Sequence, residues 1–398
     1  MSRTVTAPTA ATPTAPTPEP ADAVDALELL SGDAQTFRAK VWASHVHIHY
    51  TDPADLVGLL SLDDVDHLLT SVALRTPALR VVKHGSVLPS SRFTRSATMA
   101  GSPLTGLVDA RKVLDHFDDG ATVVLQGLHR YWPPLTRLVR ELELALGHPC
   151  QANAYLTPPG SQGFARHSDT HDVFVFQTHG RKQWEIVEGG EEREVLLEPG
   201  LSMYLPTGTP HSARSQEQTS LHVTVGINRL TWRQVLRSVT DRVLADERYD
   251  APLPAGYLDD PAVLAEQLAE QLASYADGMR SVDAAVVADE RAAAFLRERT
   301  PALRGGLTDR VGLDALGDET LLERRPTAAC VLRPGEEGFE VLLGDRALRM
   351  PARLREPMTF VRDHPTLRVR DLAPWLDEQS RLVLVRRLVR EGLLRIAG

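Results

Sequence analysis

The segment His167-Ser168-Asp169, with 41 residues separating Asp169 from His211, constrains this chain more than any other feature. Two histidines and a carboxylate make the protein's share of a facial triad, which leaves positions open on a metal such as Fe(II) for a co-substrate and O2. His167 and Asp169 stand two apart, so on a strand both side chains leave the same face. Val173-Phe174-Val175-Phe176-Gln177 then reads as a β-branched and aromatic strand. His211 follows Leu205-Pro206-Thr207-Gly208-Thr209-Pro210, a turn that predicts a returning strand, and Leu221 to Ile227 predicts another. The pattern predicts ligands carried on opposite walls of a small β-barrel, with a metal in its mouth.

A chain of 398 residues is too long for one ordinary domain and predicts two or three. The N-terminal tail, residues 1–22, is Ala/Thr/Pro-rich and lacks an apolar core segment, so it reads as disordered and not as a secretory signal. No apolar run approaches the roughly 20 residues needed to span a bilayer. Cys150 and Cys330 lie outside any motif, which argues against a disulfide framework or a thiolate zinc site and fits a reducing, cytoplasmic location. The net charge of −9 argues against a general nucleic-acid binder and is compatible with a basic protein partner.

Around the metal motif, short helices are expected over 21–30 and 34–41, a helix over 104–117, a buried strand over 121–126, and an amphipathic helix over 135–146. Residues 151–227 read as strands. Helical periodicity returns at Thr231 and over 260–279, where Val263, Leu264, Leu268, Leu272 and Tyr275 form one stripe suited to an internal brace or a homodimer interface. Beyond Pro326, strands over 327–332 and 339–343, helices over 359–364, 369–376 and 379–390, and a closing strand at 393–396 resemble a winged helix. The last 49 residues hold ten Arg against six acids, a net +4, but Asp371, Asp377 and Glu378 interrupt the basic run and argue against DNA contact.

Further residues favour the metal reading. Lys182 lies 13 positions past Asp169, where a buried cation would pair with a carboxylate of a dianionic co-substrate. Asn153 and Tyr155 alternate on the preceding strand and present polar groups to one side. The loop Thr157 to Phe164 is placed to rim the site, and Gly200 and 206–210 supply tight turns. Other clusters carry less. His45, His47 and His49 alternate without a carboxylate and read as a rim strand. His171 shares a face with His167, but a fourth ligand would fill a position that O2 chemistry needs open, so it reads as an outer partner. His179 and Glu188 to Glu194 read as solvated turns.

Several ordered segments together resemble the JmjC-type ribosomal oxygenases: 106–110, Leu128 to Pro134, Asn153 to Pro159, Gln162 to Asp169, Gly180 to Trp184, Leu205 to His211, and Ser220-Leu221-His222. The likeness covers roughly residues 30–240 in motif detail. It implies an α+β chain with a double-stranded β-helix (cupin/JmjC) barrel and flanking helices over 23–230, a helical, dimerisation-type region over 231–300, and a winged-helix-like domain over 301–398. It implies an Fe(II)- and 2-oxoglutarate-dependent dioxygenase that hydroxylates a side chain of a ribosomal protein. His167, Asp169 and His211 would bind the metal. Lys182 would hold the distal carboxylate of 2-oxoglutarate, and Tyr155 and Asn153 would line its pocket. The gap before His211 is shorter than in the family's animal members, which separates substrate choice from the resemblance. Two other readings remain: an oxygenase of a small molecule or peptide natural product, and a cupin-type sensor that regulates transcription through the winged helix. A lysine demethylase has less support, because no aromatic cage or histone-reading module is visible.

Overall fold

A computed structural model describes residues 25–161, 165–335 and 337–397. The expected disordered tail, and Gln162, Gly163 and Phe164 of the expected rim loop, lie outside the described residues. The first part of the chain holds β1 (His47–Tyr50), β2 (Leu79–Lys83), β3 (Ser86–Val87), β4 (Thr94–Met99), β5 (Ser102–Val108) and β6 (Thr122–Leu125). Then come β7 (Cys150–Thr157), β8 (His167–Ser168), β9 (Asp172–His179) and β10 (Lys182–Glu188). β11 (Glu191–Leu197), β12 (Leu201–Leu205), β13 (Pro210–Ser215) and β14 (Ser220–Ile227) complete it.

Two antiparallel sheets result. The larger has the order β1-β12-β9-β14-β7-β6-β2-β3 and the smaller β11-β10-β13-β8. From β8 onward the chain passes back and forth between the sheets, with β9, β12 and β14 in the larger and β8, β10, β11 and β13 in the smaller, and so builds both walls of one interior. β9 explains how the layers adhere. Its Phe174 and Phe176 join the core formed with Leu135, Leu138, Val139 and Leu142 of the helix Pro133–Leu146. Its Val173 and Val175 point the other way, toward Trp184, Ile186, Val195 and Leu197 of the smaller sheet. A strand buried on both faces reads as a continuous apolar run, as this one does. Two glycines close the corners. Gly180 and Gly200 have φ of +65° and +95°, and a Cβ at Gly180 would lie 2.0 Å from the Thr219 carbonyl oxygen.

The expected helix over 104–117 is a strand followed by a helix. Residues 102–108 form β5 and pair with β4, and the helix starts only at Ala110, capped by Asp109. Pro103 and Gly106, whose φ is +68°, favour the hairpin over the helical pattern of the apolar residues.

Beyond β14, helices run over Trp232–Leu244, Pro261–Ser281 and Ala284–Arg297. No residue of Pro261–Ser281 is buried. Val263, Leu268 and Leu272 of the expected stripe stand exposed, while Tyr275 bonds Thr240 on the preceding helix. The last part has its own core. It contains β15 (Leu321–Arg324), β16 (Val331–Gly335), β17 (Gly338–Leu342), β18 (Ala347–Met350), β19 (Thr366–Arg368) and β20 (Leu394–Ile396), in sheets ordered β19-β15-β20 and β16-β17-β18. Helices Arg355–Asp363 and Glu378–Arg390 cover them. Residues 327–330 are not strand, and 369–372 form only a short 3-10 turn. Among the described residues no helix is long and apolar enough to cross a membrane.

Candidate metal centre

His167 and His211 are direct cross-strand partners on β8 and β13. The expected placement on opposite walls is therefore corrected: the two imidazoles share one wall, with ring centroids 4.5 Å apart. Neighbouring antiparallel strands bring two such side chains together without any long loop. Asp169 stands just past the end of β8, and its backbone carbonyl accepts from Gly208 N–H at 3.0 Å. Its carboxylate oxygens lie 3.8 Å from His167 Nε2 and 3.9 Å from His211 Nε2. One ligand atom from each residue falls within 4.8 Å of the others, the one such group found among the described residues.

The histidines are also oriented for a metal. His167 Nδ1 lies 2.8 Å from the Ala165 carbonyl and His211 Nδ1 lies 3.0 Å from the Thr209 carbonyl. A carbonyl only accepts, so each Nδ1 carries the proton and each Nε2 presents a lone pair toward Asp169. Burial holds the His211 imidazole below the ordinary histidine value, against a smaller opposite pull from the Thr209 carbonyl. Two neutral nitrogens and one carboxylate on a single side suit a borderline divalent ion better than Mg or Ca.

The triad opens on a cavity of about 280 Å³. Trp184 and Val173 supply apolar wall; Lys182, Tyr155, His222, Thr122, Thr224 and Arg80 supply polar groups. Lys182 begins β10, the strand beside that of His211. Its side chain is buried, and Nζ donates to Thr157 Oγ1 at 3.1 Å. An ammonium has three donors, and among the described residues no carboxylate pairs with this one. Burial alone pushes it down to about 7. A buried cation without a counter-ion is costly, and an anionic ligand is what would offset that cost.

Tyr155 stacks on His222 with centroids 4.9 Å apart and planes 3° apart. Burial raises the Tyr155 phenol, while Arg80 and Thr224, both hydrogen-bonded to it, pull the other way. His222 is held well below the ordinary histidine value by burial first and by Lys182 second, so it is a neutral wall. Asn153 shares the Tyr155 face but lies outside the cavity lining; its Oδ1 accepts from Gly127 N–H at 3.0 Å. The structure thus brings together His167, Asp169, His211, Lys182 and Tyr155, and leaves Asn153 aside. Arg80, Thr122 and Thr224 escaped the sequence reading. For Arg80 a signal existed, a lone cation inside the apolar strand Leu79-Arg80-Val81-Val82.

Three further histidines are placed as structural groups. His171 packs against Gly226 of β14 and is not in the metal group. Only His47 and His49 lie on β1; His47 Nε2 contacts the Ser31 carbonyl at 2.9 Å, and His49 sits on Gly32. Glu188 to Glu194 is the expected hairpin tip between β10 and β11, turned by Gly189 and Gly190.

The JmjC domain family model matches residues 134–193 and 188–235, which span the triad, Lys182 and Tyr155. A bifunctional lysine-specific demethylase and histidyl-hydroxylase NO66 of Branchiostoma floridae is 33% identical over 218 residues, 49% of this chain and 35% of that protein. Ribosomal oxygenase 1 of Gallus gallus is 29% identical over 293 residues, 63% of this chain and 46% of its own length. The chain thus spans less than half the length of these curated relatives. A crystal structure of Escherichia coli ribosomal oxygenase YcfD superposes with a TM-score of 0.54 at 18% identity, covering 92% of this chain and 98% of that one. A structure of the same protein in complex with cobalt and 2-oxoglutarate gives 0.52 at 17% identity over the same shares. The likeness in structure is one of fold.

Proposed function

We propose that this chain, which the JmjC domain model matches over residues 134–193 and 188–235, is an Fe(II)- and 2-oxoglutarate-dependent dioxygenase that hydroxylates a side chain of a ribosomal protein. One observation carries the reading: the metal triad and the buried Lys182, which no carboxylate among the described residues pairs, line a single cavity. Cobalt and 2-oxoglutarate bound to a protein of the same fold support the pair of groups. The donor set fits them too, with two Nε2 lone pairs and a carboxylate for the metal and a buried ammonium for a second carboxylate.

Bound there, Fe(II) and 2-oxoglutarate supply oxidative decarboxylation to succinate and CO2, coupled to hydroxylation of a C–H bond by O2. The protein's residues do the rest. His167, Asp169 and His211 would occupy one side of the ion and leave the other side open. Lys182, steadied by Thr157, would fix the distal carboxylate. Tyr155 and His222, stacked on each other and neutral, would hold the walls apart and keep water from the carboxylate end. The interleaved strand order supports a double-stranded β-helix over 23–230. The exposed Val263, Leu268 and Leu272 support a helical homodimer interface within 231–300, and the sheet β19-β15-β20 with its two helices supports a winged-helix-like domain over 301–398. A cytoplasmic location goes with this reading, supported by two free, buried cysteines, Cys150 and Cys330.

Lys182 makes co-substrate binding depend on pH. At about 7 its folded-state value lies below the ordinary 10.5, so above about 7 Lys182 is neutral in the empty site and a bound carboxylate must bring a proton with it. The affinity of the Co(II)-loaded protein for 2-oxoglutarate is expected to fall as pH rises from 7 to 9, by up to about tenfold per unit. Calorimetry in two buffers of different ionisation enthalpy should show proton uptake above pH 7; a flat profile contradicts the assignment. In the free protein the sign for stability is opposite. The penalty for burying the ammonium is fully present below about 7 and is relieved toward 10.5, where the unfolded chain binds more protons.

The target is tested by incubating Fe(II)-loaded protein with 2-oxoglutarate, O2 and a ribosomal protein fraction. A roughly +16 Da product seen only with co-substrate supports the reading. Turnover with no modified protein moves the target to a small molecule or peptide.

A further inference from the structure

We propose that Asp172 is the positioning residue of the metal centre, acting on His211 and Asp169 through the turn at Thr207; this rests on the metal reading above. Asp172 is fully buried at the start of β9, three residues past Asp169. Its Oδ1 accepts from the Thr207 backbone N–H at 2.8 Å and from the Thr207 hydroxyl at 2.6 Å. Its Oδ2 accepts from the Tyr204 hydroxyl at 2.5 Å. Arg229 Nε lies 3.3 Å from Oδ1, and the Tyr204 hydroxyl in turn accepts from Ala43 N–H at 3.0 Å. A carboxylate so placed has its acceptor sites filled by donors from two separate stretches of chain, Tyr204 to Thr207 and Arg229, and bonds to an ionised acceptor are the strong ones.

The consequence lies at the other end of the turn. Thr207 begins Thr207-Gly208-Thr209, and Thr209 Oγ1 donates to the Pro206 carbonyl at 2.8 Å, which closes the turn on itself. The next groups out of that turn touch the metal ligands on both sides. Gly208 N–H donates to the Asp169 carbonyl at 3.0 Å, and the Thr209 carbonyl takes the proton of His211 Nδ1 at 3.0 Å. Asp172 therefore pins the one turn that sets the His211 ring and braces the backbone of Asp169. Arg229, close before the helix Trp232–Leu244, extends the clasp to where the helical region begins.

The test uses Co(II) as the probe and the full-length protein. Asp172→Asn and Thr207→Val are each expected to lower Co(II) affinity by about tenfold, the low end of the range for removing an outer partner of a ligand, because each acts one step further out through the turn. The visible absorption of the bound ion should change as the His211 ring loosens. Thr207→Ser, which keeps the hydroxyl, should restore both affinity and spectrum. Thr207→Val keeps the backbone bond and the side-chain volume but loses one bond to a buried carboxylate, so it should melt lower than the wild type yet still fold even if Asp172→Asn folds poorly. Wild-type affinity and spectrum in a folded Thr207→Val overturn the proposal. A wild-type protein that binds no Co(II) at all overturns the metal reading itself, and the clasp falls with it.

Discussion

Asp169→Ala abolishes high-affinity divalent metal binding and, with it, all succinate formation. Asp169 is the one anionic group in the triad, and both Nε2 atoms face it at 3.8 and 3.9 Å. Removing it leaves two neutral nitrogens on neighbouring strands, a set without charge to balance a divalent ion. The loss of Co(II) affinity should exceed the roughly 100-fold upper range for an outer partner, because a ligand itself is gone. The fold should survive: Asp169 is partly exposed, and its main structural bond, from Gly208, goes to the backbone carbonyl that alanine retains. A surface change of this kind alters stability by about 0.5 kcal/mol or less. Calorimetric titration with Co(II), next to a thermal melt, separates the two effects. Retained affinity in a folded variant contradicts the triad.

Lys182→Met should do two opposite things. It removes the cation proposed to hold the distal carboxylate, and a hydrogen bond to a charged group is worth about 1.5–3 kcal/mol, so 2-oxoglutarate affinity should fall about 10- to 150-fold. It also replaces a buried ammonium, which no carboxylate among the described residues pairs, with an apolar chain of similar length, so the co-substrate-free protein should melt higher than the wild type. Metal affinity should be unchanged, since Lys182 is four register steps from His211 along the β10–β13 pair. A variant that binds 2-oxoglutarate normally, or that melts lower with no co-substrate present, contradicts the role given to Lys182.

Much of this site was legible because its residues lie close along the chain or carry a strong period. His167-Ser168-Asp169 is local, and Val173 to Gln177 is apolar and β-branched, so strand and ligand pair could be read together. Lys182 could be singled out as a cation 13 residues past Asp169, inside a segment that resembles the family. What escaped depends on sheet order, which periodicity does not encode. Nothing in the sequence says that β8 pairs with β13, so His167 and His211 were expected across the interior and are instead neighbours on one wall. Tyr155 and Asn153 share a face, yet they part because Gly127, far earlier in the chain, takes the Asn153 amide oxygen. Arg80 reaches the cavity only because β2 joins the sheet through β6, beside β7. The helix expected over 104–117 failed for a local reason, since Pro103 and Gly106 outweighed the spacing of its apolar residues.

The central claim is that the cavity under the triad is a 2-oxoglutarate oxygenase site. Its most direct test is succinate release when O2 is admitted to protein loaded anaerobically with Fe(II) and 2-oxoglutarate. Succinate from the wild type, with none from Asp169→Ala, is the predicted result. Wild-type protein that holds Fe(II) at the triad yet forms no succinate would contradict it and favour a metal-dependent sensor.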